Sequence, residues 1–332
     1  MHINPLDFPH FDFIGDLHGC VDGLIPLLEV LGYEKKAHLG GTWCHPTRKV
    51  VFCGDLIDRG TQEKDLLDLV RSMVEHHQAL ICLGNHEFNA IGYSLMDPLS
   101  KPADPDYPRY LRPRNKNKTR QHQAFLDEFP VDTPLYQDVI DWFKTIPFWI
   151  DFGEVRAIHA CWSPKYQEQL KPYLSDQLTV GSHPNPELFR PSSLAYEAVE
   201  FLIKGQEGTL PNGAYIKDGH GVERTEIRLK WWGTEDQAPQ NWADLFVEGI
   251  PPQNLNIDAP LPDNFEMYQD PTPLFFGHYQ RSGSPHLLAP NAICLDWNYV
   301  KGNAQVAYRW TRGESIDPKN LIAVYHPQSQ VN

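Results

Sequence analysis

A short apolar run followed by glycine and a polar residue recurs three times in the first ninety residues. The runs cover residues 11–14, 50–53 and 79–83, and the polar residues after them are Asp16, Asp55 and Asn85. Apolar residues then recur at helical spacing over residues 21–31 and 66–74. The pattern predicts successive strand–loop–helix units of an α/β sheet, whose carboxyl-terminal edge is where ligands bind.

Later apolar runs extend the same pattern. Residues 155–158 precede His159, and residues 274–276 precede Gly277 and His278. Both are predicted strands, and their histidines are expected at the edge that carries the first three polar residues. Residues 292–295 and 304–310 predict two more strands with a turn signal at 301–303 between them, and 321–325 a further one.

Two long segments, about residues 92–147 and 162–273, interrupt these elements and are rich in proline. Loops of that length are uncommon in compact domains unless they serve the site. We therefore interpret residues 1–332 as a single domain, with two insertions that border the active site and stay outside its core.

Composition narrows the class of protein. Lys plus Arg total 29 against 43 Asp plus Glu, so the net charge of −14 argues against general nucleic-acid binding and against binding to anionic membranes. No apolar stretch approaches the roughly 20 residues of a membrane span, and no secretion signal is visible. The six cysteines form no CxxC pair, which predicts reduced, buried thiols and a cytoplasmic location.

The polar residues at the strand ends have the chemistry of metal ligands. They are Asp16, His18, Asp55, Asn85, His159 and His278. Carboxylate, imidazole and amide ligands suit Mn²⁺, Fe²⁺ or Zn²⁺, and the set can hold two ions if one Asp bridges them. Two such ions, about 3.5–4 Å apart, acidify a water and neutralise a phosphoryl oxygen, which predicts direct in-line hydrolysis of a phosphate ester.

Three motifs resemble the signatures of the phosphoprotein-phosphatase branch of the calcineurin-like metallophosphoesterases. They are Gly15-Asp-Leu-His-Gly19, Gly54-Asp-Leu-Ile-Asp-Arg-Gly60 and Gly84-Asn-His-Glu87. Residues 158–160 and 276–278 resemble the fourth and fifth signatures, so the resemblance covers about residues 11–310. It implies an α/β fold in which a β-sandwich of two mixed sheets is flanked by helices, in α-β-β-α layers.

The resemblance also implies roles for individual residues. One metal would take Asp16, His18 and Asp55, and the other would take the shared Asp55 with Asn85, His159 and His278. His86 would be the general acid that protonates the leaving oxygen, held by Asp58, while Arg59 binds phosphate oxygens. We expect manganese, with iron and zinc as alternatives.

The family usually has a second phosphate-binding arginine between the fourth and fifth signatures, and no motif places it here. Arg224, Arg228 and Arg281 are candidates. Arg281 lies three residues after His278 and is therefore expected near the rim. We assign it, with Asn85 and Arg59, to substrate binding.

Four other features have competing interpretations. Cys53 and Arg59 match the Cys-x5-Arg spacing of cysteine-dependent tyrosine phosphatases, but the acidic loop between them favours coincidence. Six basic residues between positions 109 and 120 either steer an anionic substrate or form a solvated loop. Trp231 and Trp232 either stack a base or pack the insertion, which is commoner. The remaining histidines are expected at the surface or in the cap; among them are His45, His76, His77, His122, His183 and His286.

The substrate is the open question. Asp58 and Glu87 favour the protein-phosphatase pattern, whereas residues 294–310 resemble the tail of bacterial diadenosine tetraphosphatase-like and polynucleotide-repair phosphatase domains, with Trp297 and Asn298 replacing Thr-Gly. Leu83 stands where protein phosphatases usually have Arg. We expect hydrolysis of phosphate monoesters, either on protein serine or threonine or over a broad range. The alternatives are a dinucleoside polyphosphate hydrolase and a non-catalytic, metal-dependent sensor of a phosphorylated ligand.

Overall fold

The computed structural model describes residues 10–217, 222–233, 236, 238–247, 251, 252 and 254–330. The helices within these residues are α1 (Val21–Val30), α2 (Glu63–Glu75), α3 (Asn85–Ser94), α4 (Lys116–Gln121), α5 (Gln123–Glu128), α6 (Pro134–Phe143), α7 (Pro164–Leu170) and α8 (Leu194–Lys204). The strands are β1 (His10–Ile14), β2 (Glu34–Lys36), β3 (Thr42–Cys44), β4 (Lys49–Phe52), β5 (Ala79–Ile81), β6 (Trp149–Asp151), β7 (Arg156–Ile158), β8 (Glu207–Thr209), β9 (Ile216–Lys217), β10 (Glu223–Arg224), β11 (Glu226–Arg228), β12 (Leu274–Phe276), β13 (Ala292–Cys294), β14 (Ala304–Thr311) and β15 (Leu321–Tyr325).

Two mixed sheets form the centre of the fold. The first has the strand order β15-β14-β1-β4-β5, and the second has the order β13-β12-β7-β6. In the first sheet β1, β4 and β5 are parallel, while β14 runs antiparallel to β1. In the second sheet β7, β12 and β13 are parallel and β6 is antiparallel to β7. Two mixed sheets are the centre of the fold that the resemblance implies.

Aromatic side chains fill the space between the two sheets. Phe13 of β1 stacks on Phe275 of β12 with ring centroids 4.0 Å apart, and Phe11 stacks on Phe152 at 4.7 Å. Because side chains alternate along a strand, Ile14 faces away from this interior and joins the larger cluster that includes Leu24 and Leu27 of α1. β1 is therefore buried on both faces.

The strand register brings the site-forming loops to one level. Ile14 pairs with Phe52 and Phe52 with Ile81, so the loops after β1, β4 and β5 begin side by side. In the second sheet Phe275 pairs with Ala157, which places the ends of β12 and β7 together. All five strands thus deliver their carboxyl ends to the same rim.

The insertions contribute to the core, so our expectation that they stay outside it was wrong. Phe125 and Phe143 of the first insertion and Leu202 of the second are fully buried in the main apolar cluster. The reason is that α6 and α8 are amphipathic and bury one apolar face each. A proline-rich composition does not reveal such short helices.

The predicted strands of the tail are present but lie in different sheets. β13 belongs to the second sheet and β14 to the first. A 3-10 helix over Tyr299–Lys301 and a left-handed Gly302 (φ 87°) lie between them. Residues 301–303 therefore belong to the connection from the second sheet to the first, and they do not form the turn of a hairpin.

The cysteines agree with the prediction of free, buried thiols. All six cysteines are free and buried. Burial raises the pKa of the Cys53 thiol well above its usual value, so the thiolate that a cysteine-dependent phosphatase needs is disfavoured. Among the described residues, no helix is long and apolar enough to cross a membrane.

Candidate metal centre

The rim brings together side chains from five strand ends. Asp16 and His18 follow β1, Asp55 follows β4, Asn85 and His86 begin α3 after β5, His159 follows β7 and His278 follows β12. All except His86 are at least nine-tenths buried. The sequence motifs, up to 262 residues apart, converge on one buried polar cluster.

Asp55 lies at the middle of this cluster. Its Oδ1 lies 3.3 Å from His159 Nε2, and its Oδ2 lies 3.8 Å from His18 Nε2. Two groups of ligand atoms, each with members within 4.8 Å of one another, share Asp55: one contains His18 and His86, and the other contains His159 and His278. Asp55 is therefore placed to bridge two ions.

Asp16 and Asn85 complete the two groups. Asp16 Oδ2 lies 3.7 Å from His18 Nε2, and Asn85 Oδ1 lies 3.1 Å from His159 Nε2. The Asp16 carboxylate accepts the backbone N–H of His278 at 3.0 Å. A Cβ at Gly277 would collide with Asp16 Oδ1, so only glycine lets these two loops approach so closely.

Backbone carbonyls orient the imidazoles. His18 Nδ1 lies 2.9 Å from the Ile57 carbonyl, and His159 Nδ1 lies 2.8 Å from the Cys53 carbonyl. A donated Nδ1–H leaves the Nε2 lone pair for the interior of the site. The Nε2 atoms of His18 and His278 are buried and have no hydrogen-bond partner within the described part of the chain. Buried polar atoms are rarely left so, and a metal ion would satisfy both.

The charges in the cluster also fit divalent cations. Burial lowers the pKa of His18 to about 3, with Arg59 and His86 acting in the same direction, and burial likewise holds the pKa of His278 well below its usual value. Both imidazoles are thus neutral at neutral pH, the form that binds metal. Burial and the neighbouring Asp296 raise the pKa of Asp16, because packed carboxylates repel each other. A divalent cation relieves that repulsion.

Glu87 holds the loop that carries Asp55. Its buried carboxylate accepts the backbone N–H groups of Asp55 at 3.0 Å, Leu56 at 2.8 Å and Gly84 at 3.1 Å. Asp55 has a φ of 54°, a conformation that costs free energy and persists only where surrounding contacts impose it. Glu87 therefore stabilises the strained backbone of Asp55, the candidate bridging ligand.

His86 and Asp58 form a hydrogen-bonded pair beside the ligands. His86 Nδ1 lies 2.6 Å from Asp58 Oδ2. The other ring nitrogen, Nε2, lies 3.5 Å from Arg59 Nη2 and 3.8 Å from Asp55 Oδ2. The Arg59 side chain is exposed on the rim. The imidazole thus presents Nε2 to the space above the cluster.

His122 belongs to this pair and was missed by the sequence analysis, which expected it at the surface or in the cap. It is buried, and its Nδ1 lies 2.8 Å from Asp58 Oδ1, so Asp58 lies between two imidazoles. Burial opposes ionisation of Asp58, but His122 and His86 outweigh it and hold the pKa of Asp58 below its usual range. No motif surrounds His122, and only the folding of the first insertion brings it here.

Asp296 is a second residue that the sequence analysis left unassigned. It follows β13 at the same rim, is buried, and accepts the backbone N–H of Asn298 at 3.0 Å. After burial, the charge of Asp296 is the next cause that raises the pKa of Asp16, so the two carboxyl groups lie close together. The signal that would have found it is its position directly after a predicted strand.

The three candidate arginines occupy different places. Burial lowers the pKa of His278 and the charge of Arg228 acts in the same direction, which puts Arg228 within electrostatic range of the ligands. Arg281 Nη1 donates to the Val247 carbonyl at 2.6 Å. Arg224 lies on the exposed strand β10.

The structure also decides between the two interpretations of the tryptophan pair. Trp231 and Trp232 are buried against Phe276 and Tyr279, so the packing interpretation is confirmed. Two of the six basic residues have contacts close to them in the chain. Arg109 Nη2 lies 3.4 Å from Asp104, and the guanidinium of Arg114 lies 3.4 Å from the Tyr110 ring centroid.

Within the described part of the chain, the Nε2 atoms of His18 and His278 have no hydrogen-bond partner, and they lie beside the Asp55 carboxylate and the His86–Asp58 pair. Together with the fold, this arrangement indicates a metal-dependent phosphoester hydrolase. Residues 9–173, about half of the chain, match the family described as calcineurin-like phosphoesterase. The chain belongs to that family, whose members use divalent metal ions.

The curated relatives share a shorter stretch. The asymmetrical bis(5'-nucleosyl)-tetraphosphatase PrpE of Halalkalibacterium halodurans is 46% identical over 77 residues, which are 23% of this chain and 30% of that protein. PrpE of Geobacillus sp. is 43% identical over 76 residues, again 23% and 30%. The chain thus spans less than a third of the length of these relatives.

Solved structures align over almost the whole chain at low identity. A putative diadenosine tetraphosphatase is 16% identical, with a TM-score of 0.44 and coverage of 96% of this chain and 94% of the other. A protein serine/threonine phosphatase from Saccharomyces cerevisiae is 13% identical, with a TM-score of 0.47 and coverage of 97% and 81%.

Proposed function

We propose that the protein hydrolyses phosphate esters at this rim, with His86 as the general acid that protonates the leaving oxygen. The observation that carries the proposal is the His86–Asp58 hydrogen bond of 2.6 Å, which leaves Nε2 facing the ligand cluster. An ionised carboxylate on Nδ1 fixes the tautomer and stabilises the protonated imidazole. A positioned acid of this kind contributes typically 10²–10⁴-fold to rate.

Six residues would hold two divalent ions. Asp16, His18 and Asp55 form one set, and Asp55, Asn85, His159 and His278 form the other. When bound, the ions would lower the pKa of a water and neutralise charge on the phosphoryl oxygens. We propose Mn²⁺ because the ligands mix oxygen with imidazole nitrogen and include no thiolate.

Two arginines are our candidates for binding the phosphate. Arg59 is exposed beside His86 Nε2, and Arg228 is exposed within electrostatic range of His278. Within the described residues, the guanidinium of Arg228 makes no hydrogen bond or ion pair. We therefore propose Arg228 as the second phosphate-binding arginine, while Arg281 remains a candidate at the rim.

Phosphate monoesters, on protein serine or threonine or on small molecules, are the first candidate substrates. Dinucleoside polyphosphates are the second, because the curated relatives named above are bis(5'-nucleosyl)-tetraphosphatases. The intact group of His86, Asp58 and Arg59 argues against a sensor without turnover.

We also propose that residues 1–332 form one domain and that it works in the cytoplasm. The main apolar cluster includes residues of both insertions, which supports the first statement. Six free, buried cysteines support the second.

The test is the initial rate of the Mn²⁺-loaded protein on p-nitrophenyl phosphate, a phosphoserine peptide and a dinucleoside tetraphosphate. We expect metal-dependent turnover that falls to background in His86→Asn on the peptide, while the variant still binds metal. An absence of turnover on all three substrates after metal loading would refute the enzyme proposal.

A further inference from the structure

Asp296 is a buried carboxylate at the rim that neither the proposed ligand set nor the His86–Asp58 pair uses. One of its oxygens, Oδ1, accepts the backbone N–H of Asn298 at 3.0 Å. The other oxygen, Oδ2, is buried and has no hydrogen-bond partner in the part of the chain that the structure describes. Buried polar atoms are rarely left without a partner, so we expect Oδ2 to face a bound group.

The register of the second sheet places Asp296 beside the ligand His278. Phe276 of β12 pairs with Cys294 of β13. His278 and Asp296 each lie two residues further along these parallel strands, so they leave the sheet at the same level. The backbone N–H of Arg281 donates to the carbonyl of Asp296 at 2.9 Å and holds the two loops together.

A second backbone contact brings Asp296 next to Asp16. A Cβ at Gly15 would lie 2.2 Å from the carbonyl oxygen of Leu295, so the residues directly before Asp16 and Asp296 touch each other. The charge of Asp296 is, after burial, the next cause that raises the pKa of Asp16, which agrees with this placement. The two carboxylates therefore lie side by side at the ends of β1 and β13.

Two hydrogen bonds hold Asp16 in this position. Its carboxylate accepts the backbone N–H of His278 at 3.0 Å, and its carbonyl accepts Nε2 of the buried Gln305 at 3.0 Å. Asp16 is thus fixed at its side chain and at its backbone. Neighbouring carboxylates in a buried site repel each other unless a cation lies close to both. The cation proposed for the Asp16 side of the metal centre would meet that condition.

We propose that Asp296 is a seventh residue of the metal centre, whose charge and free Oδ2 stabilise the ion held by the Asp16 set. Here the Asp16 set means Asp16, His18 and Asp55. The inference rests on the proposed function, because it assumes that this set holds a divalent ion. The Asp16 set has one protein ligand fewer than the set around His159, and a third carboxylate suits an oxygen-preferring ion such as Mn²⁺. The two ions are then bound unequally.

The test is a Mn²⁺ titration of the metal-free parent and of Asp296→Asn, followed by calorimetry. Asparagine keeps the size of the side chain and an oxygen that can accept the Asn298 N–H, but it removes the charge. We expect one of the two binding steps to weaken about 10- to 100-fold and the other to stay within about threefold of the parent. Asp296→Ser removes the same charge with a smaller side chain and should weaken the same step.

The matched control is Asp317→Asn. Asp317 Oδ1 accepts the backbone N–H of Lys319 at 3.0 Å, which is the same two-residue arrangement as at Asp296. It follows β14, whose Thr311 pairs with His10 at the end of β1 that is distant from the rim. We expect both binding steps to be unchanged in this variant. Thermal unfolding of each metal-free variant checks that it folds.

Three results would overturn the inference while the parent still binds two ions. They are unchanged affinity in both Asp296 variants, an equal loss at the two binding steps, and an equal loss in the Asp317→Asn control. A parent that binds no Mn²⁺ would refute the metal centre and the inference with it. Because binding is measured without turnover, an inactive protein that shows the expected loss would contradict the proposed function alone.

Discussion

The strand-end loops and the first insertion contribute to the site in different ways. In the loops, each proposed ligand follows a strand, and all of them except His159 are next to a glycine, as Asp55 is next to Gly54. In the insertion, His122 and Arg112 lie among polar residues with no local pattern. The proposed metal ligands thus lie in local sequence motifs, whereas His122 reaches Asp58 only through tertiary packing.

Asp58 is the residue where the two regions meet. One carboxylate oxygen contacts His86 of the loops at 2.6 Å, and the other contacts His122 of the insertion at 2.8 Å. Neither region alone fixes both oxygens. The insertion therefore supplies the second hydrogen-bond partner of Asp58, which holds the proposed general acid His86.

The largest expected effect tests the loop side of this comparison. His86→Asn keeps a donor near the position of Nδ1 but removes Nε2. We expect kcat on a phosphoserine peptide to fall about 100- to 1,000-fold, and on p-nitrophenyl phosphate about tenfold or less, because a good leaving group needs little protonation. Equal losses on the two substrates would show that His86 is not the acid. The exposed His183→Asn serves as control.

A smaller effect tests the insertion side. His122→Leu removes the second partner of Asp58, and we expect kcat to fall about tenfold with metal content retained. His122→Asn, which can still donate to Asp58, should recover most of the rate. Combined with His86→Asn, His122→Leu should cost little more, since both act through the same acid. Full additivity of the two losses would contradict the view that His122 acts on His86 through Asp58.

The smallest effect tests the contact between the two regions. There, Glu128 of the insertion accepts the backbone N–H of Glu63 at 3.0 Å. Burial raises the pKa of Glu63 to about 9, and within the described residues neither carboxyl oxygen has a hydrogen-bond partner. The protonated form is therefore favoured by folding, and its contribution to stability is complete below about pH 4.5 and lost as pH rises towards 9.

Glu63→Gln mimics the protonated form at every pH. We expect its melting temperature to match the parent's near pH 4 and to exceed it by a few degrees at pH 8, measured by calorimetry. The exposed Glu29→Gln should show no such divergence. Parallel pH curves for parent and Glu63→Gln would contradict the buried, protonated carboxyl.

The sequence was sufficient to predict the strands that form the rim and the polar residues that follow them. Alternation and apolar runs identified β1, β4, β5, β7 and β12, and the polar residue after each one lies in the cluster that the structure shows. The motif Gly84-Asn-His-Glu87 also includes Glu87, but the spacing of the motif does not predict the contacts of Glu87 with the Asp55 loop.

The remaining features depend on contacts distant in sequence. His122 lies 64 residues from Asp58, and its burial results from the packing of α5 and its neighbours. The burial of α6 and α8 was hidden by the proline-rich segments around them.

The most direct test of the central claim is a Mn²⁺ titration of the metal-free protein followed by electron paramagnetic resonance. A shared Asp55 predicts that two ions bind per chain and that their spins couple, so that the signal of isolated Mn²⁺ is lost as the second ion binds. A single ion per chain, or two ions that remain magnetically isolated, would contradict a centre bridged by Asp55.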